Sequence, residues 1–533
     1  MYYKRPKCFG YSFFTKKMKQ IYFKLLSNSP VIILATFSFF INFYVSSIGV
    51  LSVDTFSHFD STYKLLNGVV EFRDFWNISG AIIDYIQLPF FYFFGSNWTS
   101  YIVQSSIFNS FITICTYLFF KNLGLKNLPS LFYSLCFSVL ANPSMGTPFV
   151  DHYSTFFSLV GLYCFFFAIK KENNFYWFLI PVFLFFAFFS KQTPSSYVIL
   201  LIILMTVVYF ISFKKIYFLK PIIYGSLFCI IFLIIFLIMN NIKFSDFITQ
   251  YFLFPQTIGT SRFEKYELNF KNTVLDFKFI YILLLPLIFL SLRTLKHKIQ
   301  NNKKILIINL SIIIFTALLI FHQIYTKNFI FIFFLIPLIA GLIHLHVSNH
   351  LSNNNILLTL VISFTIFASL KYHYRFNLDR KMLNLENMDL TKSIDAKKID
   401  DKLSGLKWIT YSDFSPSEEI KLIKESLQII GEDKNEIMLI THYNFFSTIL
   451  EKNLYTPSRW AADAVSNPNK ENKFYQSYVD FTKNLIRRKN IKSIYIIMPS
   501  FQKDLSNIVS DNCISKEKKN EILFYFRIKE NCN

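Results

Sequence analysis

Residues 221–239 read PIIYGSLFCIIFLIIFLIM and contain no charged side chain. An α-helix needs about 20 predominantly apolar residues to cross the hydrocarbon core of a bilayer. A surface helix of a water-soluble protein would show a polar face within such a stretch. Lys214, Lys215 and Lys220 precede the run and a polar segment follows it. The stretch therefore predicts a membrane-spanning helix whose N-terminal end lies in the cytoplasm.

The composition of the whole chain agrees with this prediction. Hydrophobic residues make up 53% of the 533 residues, Phe alone occurs 67 times, and the mean hydropathy is +0.38. The net charge of +22 is typical of some nucleic-acid-binding proteins, yet the basic residues cluster in short loops between apolar runs. We therefore expect a multi-pass membrane protein, which contacts the lipid bilayer and binds no nucleic acid.

Keeping the most basic loops in the cytoplasm predicts an α-helical polytopic protein with about 11 transmembrane helices. The predicted spans are residues 30–51, 101–120, 128–144, 153–169, 175–190, 195–213, 221–239, 277–292, 305–321, 329–346 and 356–370. The chain then has three parts: a basic cytoplasmic N-terminus (1–29), a transmembrane domain (30–370) and an extracytoplasmic α/β domain (371–533).

The outer loops of this threading are 52–99, 145–152 and 240–276, and they hold every acidic residue of the transmembrane domain except Glu172. Residues 63–66 and 82–95 are amphipathic and predict short helices lying in the membrane interface. If 82–95 crossed the membrane instead, every later loop would change sides and the basic loops would face outward, against the charge bias.

At Lys371 the composition changes to the mixed charge of a soluble domain. Helical spacing predicts helices at 417–430 and 472–488, and apolar runs predict buried strands at 436–441 and 493–499. Cys513 and Cys532 are its only cysteines, and an oxidising compartment favours a disulfide between them. A helix-like stretch, 516–526, would return the chain to its start and allow that bridge.

Short motifs recur on the predicted outer face. Residues 53–60 read VDTFSHFD, 65–68 read LLNG and 71–75 read EFRDF; 89–95 read PFFYFFG, 146–152 read GTPFVDH, 190–193 read SKQT and 456–459 read TPSR. In their order and sidedness these motifs resemble the outer elements of the GT-C membrane glycosyltransferases. The likeness is greatest to the bacterial branch related to protein mannosyltransferases and the lipid A aminoarabinose transferase.

The resemblance implies a GT-C fold and a catalytic or metal-binding role for the acid at Asp54. It places Asp151 at the family's second acid and Lys191 in the family's lysine-containing outer turn. It further implies a polyprenyl-phosphate-linked sugar as donor, with inverting transfer to a cell-envelope glycan, lipid or protein. Two departures matter: Thr55 stands where relatives often have a further acid, and Asp84 has no counterpart.

The chemistry of such a transfer explains these residue types. A carboxylate deprotonates the acceptor hydroxyl, which makes Asp54 and Asp151 the catalytic candidates, and a cation stabilises the departing phosphate. The donor-phosphate candidates are Lys191, Arg262 and Arg73, with Asp74, His152 and Gln192 as secondary site residues. Asp54 and Asp151 also offer hard oxygen ligands to a divalent metal ion, the one cofactor expected here.

Structural interpretations remain open for each of these residues. Asp54 and Asp151 stand where helix N-caps are expected, and Lys191 is typical of a lysine snorkelling at a helix end. Asp74 beside Arg73 is typical of a local salt bridge.

Two other functions are alternatives. A transporter or flippase would carry ionisable groups in mid-span, broken helices or inverted repeats, and the predicted spans contain no acid. A glycan polymerase or ligase would place several arginines in its large outer loop, where 240–276 offers only Arg262.

Overall fold

A computed structural model describes residues 29–141, 146–264, 267–295, 300–326, 332–350, 355–460, 465–497, 505 and 507–529. The predicted cytoplasmic N-terminus lies outside these residues apart from Ser29, and so does Cys532.

Each of the predicted spans overlaps a helix in the described part of the chain. In chain order the helices of this part are α1 (Ser29–Val45), α2 (Ser52–Thr55), α3 (Phe59–Leu66), α4 (Ala81–Phe94), α5 (Trp98–Leu123), α6 (Asn127–Ala141), α7 (Val150–Lys171), α8 (Asn174–Ser190), α9 (Gln192–Phe213), α10 (Leu219–Met239), α11 (Phe244–Ile248), α12 (Phe254–Glu264), α13 (Lys278–Leu295), α14 (Gln300–Thr326), α15 (Leu335–His350) and α16 (Asn355–His373). The short helices expected in the first outer loop are α3 and α4.

Six of these helices are long and apolar enough to cross a membrane, namely α5, α7, α9, α10, α14 and α16. The chain is therefore a mostly helical membrane protein. The number of eleven crossings stays a prediction, because five predicted spans correspond to helices outside these six: α1, α6, α8 and α15 are apolar but shorter, and α13 is not among the six.

Helix α7 lies at the centre of the bundle. Its apolar stretch is 94% buried, whereas that of α10 is 22% buried and is therefore free to face lipid. A Cβ at Gly161 would lie 3.2 Å from the Leu184 side chain, so the missing side chain allows α8 to pack closely on α7. The first turn of α7, which carries Asp151, is consequently held at the middle of one end of the bundle.

The C-terminal part contains a small mixed sheet with helices. Its elements are β1 (Ile394–Asp395), β2 (Lys407–Trp408), α17 (Pro416–Glu432), β3 (Glu436–Thr441), α18 (Phe446–Leu450), α19 (Tyr475–Lys489), β4 (Ile491–Ile497), β5 (Ile514–Lys518) and β6 (Leu523–Ile528). The larger sheet has the order β3-β4-β6-β5, with β3 and β4 parallel and the other pairs antiparallel. Both predicted helices and both predicted strands are present here, with shifted ends except at β3.

The helix-like interpretation of 516–526 is wrong, because this stretch forms the hairpin of β5 and β6. Residues 523–528 read LFYFRI, and such aromatic and β-branched side chains favour a strand. Phe526 pairs with Ile494 of the buried strand β4. The conformation of β6 depends on its pairing with β4, which lies about thirty positions earlier in the chain. A local sequence pattern cannot predict that partner.

Where the C-terminal part contacts the first outer loop and α5, the two parts share one hydrophobic core. Phe56 of the first outer loop lies between Trp98 of α5 and the C-terminal residues Trp408 and Phe445, with ring centroids 5.5, 6.2 and 4.8 Å away. Asp60 accepts hydrogen bonds from the first-turn amides of α18, at 3.0 Å from Ser447 N and 2.9 Å from Thr448 N. The first outer loop and the described residues of the C-terminal part thus share one core.

Cys513 is disulfide-bonded in the structure. Its predicted partner, Cys532, lies outside the described residues, so the pairing itself stays a prediction.

The predicted sidedness can be measured with single reporter cysteines. Tyr411 is exposed on the C-terminal part, and Asn174 is exposed on the opposite end of the bundle beside Lys170 and Lys171. We expect Tyr411→Cys to react with a membrane-impermeant maleimide in intact cells, and Asn174→Cys to react only after permeabilisation. Labelling of both in intact cells, or of Asn174→Cys alone, would contradict the predicted orientation.

Candidate active site

A cavity of about 510 Å³ lies where α7, the turn between α8 and α9, and the first outer loop meet the C-terminal part. Its polar lining includes most of the predicted site residues. The predicted residues in the lining are Asp54 of α2, Asp151 of α7, Lys191 between α8 and α9, Gln192 at the start of α9, and Arg262 of α12. Ser466 of the C-terminal part, which was not predicted, also lines the cavity. Aromatic rings of Tyr197, Tyr251, Tyr325 and Trp460 complete much of the wall. Asp54 and Asp151 therefore lie on the same side of the bundle.

Asp151 and Lys191 form an ion pair in this cavity. Lys191 Nζ donates hydrogen bonds to both carboxylate oxygens of Asp151, at 2.7 and 2.8 Å. His322 of α14 also faces the pair, with Nε2 3.5 Å from Asp151 Oδ1. Lys191 reaches Asp151 because it is extended between two helices, where α8 ends and α9 begins. Two charges held together in this way cancel most of each other's field on the cavity.

Asp54 is the acid without a partner. It is half-buried, and among the described residues its carboxylate has no hydrogen bond or ion pair. Burial, reinforced by the negative charge of Asp151 and opposed by Lys191, raises the pKa of Asp54 from 3.8 to about 7. A carboxyl group with this pKa exchanges its proton near neutral pH, as a general base requires.

The helix-cap interpretation of the two acids finds no support in the geometry. The N-cap residues of α2, α3 and α7 are Leu51, His58 and Phe149, and none of these helices has a side-chain cap hydrogen bond. Asp54 and Asp151 lie inside the first turns, where their oxygens face the cavity and leave the helix amides alone.

The three predicted phosphate-binding cations have different surroundings. Arg262 lines the cavity and makes no hydrogen bond or ion pair within the described part of the chain, whereas Lys191 is neutralised by Asp151. Arg73 is not brought to the cavity. Its guanidinium binds the Asp74 carboxylate at 2.6 and 2.9 Å and the Asn240 carbonyl at 3.1 Å. Asp74 lies with it, as the salt-bridge interpretation expects.

The two remaining predicted residues differ in position. Gln192 lines the cavity and donates 2.7 Å hydrogen bonds to the carbonyls of Ile78 and Tyr251, which ties three outer segments together. His152 is buried beside the cavity and packs against Phe149 and Phe156, with ring centroids 5.7 and 6.0 Å away.

The donor set fits a protein-held metal ion poorly. Within the described ranges no group of three or more His, Cys, Asp or Glu side chains is placed to hold one. Both oxygens of Asp151 already accept hydrogen bonds from Lys191, so Asp54 alone offers a free carboxylate.

A second polar cluster lies directly behind the cavity wall, and sequence reasoning missed it. Arg459 extends from the C-terminal part into a fully buried group formed by Glu71, Asp84 and His58. The Arg459 Nη2 atom hydrogen-bonds Asp84 Oδ2 and lies 2.7 Å from Glu71 Oε2, and Nη1 lies 3.2 Å from His58 Nδ1. Two signals pointed to it: the TPSR motif ends at Arg459, and Asp84 is an acid on an otherwise apolar helix.

An apolar groove of about 740 Å³ adjoins the cavity. It runs between α8, α9 and α10 and shares the side chain of Phe188 with the cavity. Helices α9 and α10 are among the least buried of the six long apolar helices, so this groove faces the lipid side of the bundle.

No protein-family model matches the chain, and the search of curated proteins gave no significant match.

Proposed function

We propose that this protein is a glycosyltransferase of the GT-C type. In this proposal it transfers a sugar from a polyprenyl-phosphate donor to a cell-envelope acceptor at the outer face of the inner membrane. The observation that carries the proposal is Asp54, a carboxyl group with a pKa of about 7 that shares one cavity with the cation Arg262, both without a hydrogen bond or ion pair among the described residues. Together they supply a proton acceptor and an anion-binding group. The resemblance of the outer motifs to GT-C enzymes supports the same function.

The groove beside the cavity suits a lipid-linked donor. A polyprenyl chain is apolar and lies in the bilayer, and the apolar groove opens on the lipid side. Phe188 borders both spaces, so a phosphate attached to such a chain would enter the cavity at that residue. The sugar would then lie between Asp54 and Arg262, as transfer requires.

The bond changes follow from this placement. The Asp54 carboxylate takes the proton of the acceptor hydroxyl while the acceptor oxygen forms a bond to the anomeric carbon. The bond between that carbon and the phosphate oxygen breaks, and its electron pair leaves with the polyprenyl phosphate. Arg262 stabilises the negative charge that develops on the phosphate. Attack from the face opposite the leaving group inverts the anomeric configuration.

Asp151 and Lys191 act on Asp54 in this mechanism. The negative charge of Asp151 raises the pKa of Asp54, and Lys191 prevents a larger rise. Burial is the largest cause of the rise, and the pair adjusts it, so that the pKa lies near the pH at which the base accepts and releases protons most readily.

The proposal is tested by the lipid-linked sugars of cells that lack the protein. We expect one polyprenyl-phosphate-linked sugar to accumulate, and re-expression of the wild-type chain to remove it. Arg262→Gln should restore transfer about 10²-fold less well, the usual cost of one group that stabilises developing charge. Lys243→Gln is the matched control, because Lys243 is an exposed cation of the same outer loop and does not line the cavity. No accumulated lipid-linked sugar in the deletion strain would contradict the proposed reaction.

A further inference from the structure

We propose that Arg459 is a positioning residue that fixes two walls of the cavity, so that the cavity is complete only when the C-terminal part is docked. The proposal concerns the assembly of the cavity and holds for any substrate.

The contacts of Arg459 join segments from distant parts of the chain. The side chain is 2% exposed. Its guanidinium reaches Asp84 on α4 and Glu71 in the first outer loop, and it lies beside His58 before α3. A buried guanidinium needs an anionic partner, here Asp84, since an unpaired charge in this place would be strongly unfavourable.

The first cavity wall turns directly over this guanidinium. Gly80 has φ +87°, and a Cβ there would lie 2.6 Å from Arg459 Nη1 and 2.8 Å from the His58 ring. Only glycine fits between the guanidinium and the turn. The preceding residues, Ile78 and Ser79, line the cavity. The position of Ile78 and Ser79 therefore depends on the Arg459 guanidinium, against which Gly80 packs.

The second wall follows Arg459 in the chain. Trp460 lines the cavity, and the Arg459 guanidinium carbon lies 5.8 Å from the centre of its ring. The Trp460 carbonyl accepts 2.6 Å hydrogen bonds from the hydroxyls of Ser458 and Ser466, and Ser466 also lines the cavity. One side chain thus holds the wall from the transmembrane part and the wall from the C-terminal part in register.

Other contacts dock the C-terminal part without touching the cavity. Asp60 accepts hydrogen bonds from α18. Arg488 donates a 2.8 Å hydrogen bond to Asp74 Oδ1, and its side chain is 47% exposed. These contacts allow a local effect of Arg459 on the cavity to be separated from a general loss of docking.

The test measures maleimide labelling of full-length protein in lipid vesicles, with the modified peptide identified by mass spectrometry. Two buried serines serve as single-cysteine reporters: Ser79 in the cavity wall and Ser447 at the α18 contact. We expect the Arg459→Gln substitution to raise the labelling rate of Ser79→Cys about tenfold. The labelling rate of Ser447→Cys should change by less than about twofold, because the opening is local. Arg488→Gln, the matched control, should leave both rates unchanged.

Arg459→Lys provides a second variant that keeps the positive charge. A lysine can pair with Asp84 but cannot bridge to Glu71 and His58 at once, so we expect a smaller rise at Ser79 alone. Equal rises at both reporters would show a general clamp and overturn the proposal, as would an unchanged rate at Ser79 in both Arg459 variants. Labelling needs no substrate, so this outcome is independent of the proposed transfer reaction.

Discussion

Replacing Asp54 with asparagine is expected to reduce sugar transfer by about 10²–10⁴-fold, which is the contribution of a positioned general base. The amide has nearly the same shape as the carboxylate and cannot accept the proton of the acceptor hydroxyl. Since Asp54 makes no hydrogen bond or ion pair with the described residues, the substitution breaks no contact that stabilises the fold. The measurement is the initial rate of transfer by purified protein, alongside its thermal unfolding midpoint.

Asp246→Asn is the matched control for this variant, because Asp246 is an outer-loop acid that does not line the cavity. It should transfer sugar at the wild-type rate. Transfer by Asp54→Asn within about threefold of wild type would eliminate the base assignment, given the magnitude expected of such a base.

The pH dependence of the wild-type protein follows from the same group. Asp54 must be ionised to accept a proton, and its pKa is raised to about 7, so the transfer rate should rise between about pH 6 and 8. The stability of the folded protein depends on pH in the opposite direction. Because Asp54 keeps its proton to a higher pH in the folded state than in the unfolded state, the free energy of unfolding falls as the pH rises through about 7. The asparagine variant should lose this dependence and be at least as stable as wild type at pH 8.

Asp84→Asn and Glu71→Gln are expected to differ greatly in stability. Asp84 bonds Arg459 and also faces His58 Nδ1 at 3.0 Å and Ser61 Oγ at 2.7 Å. Its loss leaves a buried guanidinium without its main anionic partner, which typically costs about 3–5 kcal/mol. Burial raises the pKa of Glu71 well above its usual range and thereby favours its neutral form. Glutamine resembles that neutral form and should cost about 1 kcal/mol or less.

The two variants are compared by thermal unfolding in detergent at pH 7. A much lower midpoint for Asp84→Asn than for Glu71→Gln is expected. Similar midpoints, or a greater loss in Glu71→Gln, would show that Glu71 carries the charge which balances Arg459. Each variant is then the control for the other, because both remove one carboxyl group from the same buried cluster.

The helical framework could be predicted from local sequence. An uninterrupted apolar run such as 221–239 needs only its own length to be recognised, and α10 occupies almost the same residues. Asp54 and Asp151 were predicted as a pair because both fall at outer helix ends, and the structure brings them to one cavity. Their position follows from where the spans begin and end, which hydropathy determines.

Contacts between distant segments could not be predicted in the same way. Arg459 and His58 are 401 positions apart, and nothing in either local sequence reports the other. Arg73 was predicted to bind the donor phosphate because of its position in the first outer loop. In the structure its guanidinium instead binds the neighbouring Asp74 carboxylate. Whether a cation is free depends on its tertiary neighbours, and these distinguish Arg262 from Lys191 and Arg73.

The core shared by the first outer loop and the C-terminal part constrains the order in which the protein is built. Asp60 and its partner Ser447 are 387 positions apart, so the loop is synthesised long before the residues that cover it. Until then Phe56 and Trp98, both fully buried in the finished protein, lack their C-terminal neighbours. The contacts between the loop and the C-terminal part therefore form last, after the last helix of the bundle has been synthesised, and the cavity that they close does not exist in the growing chain.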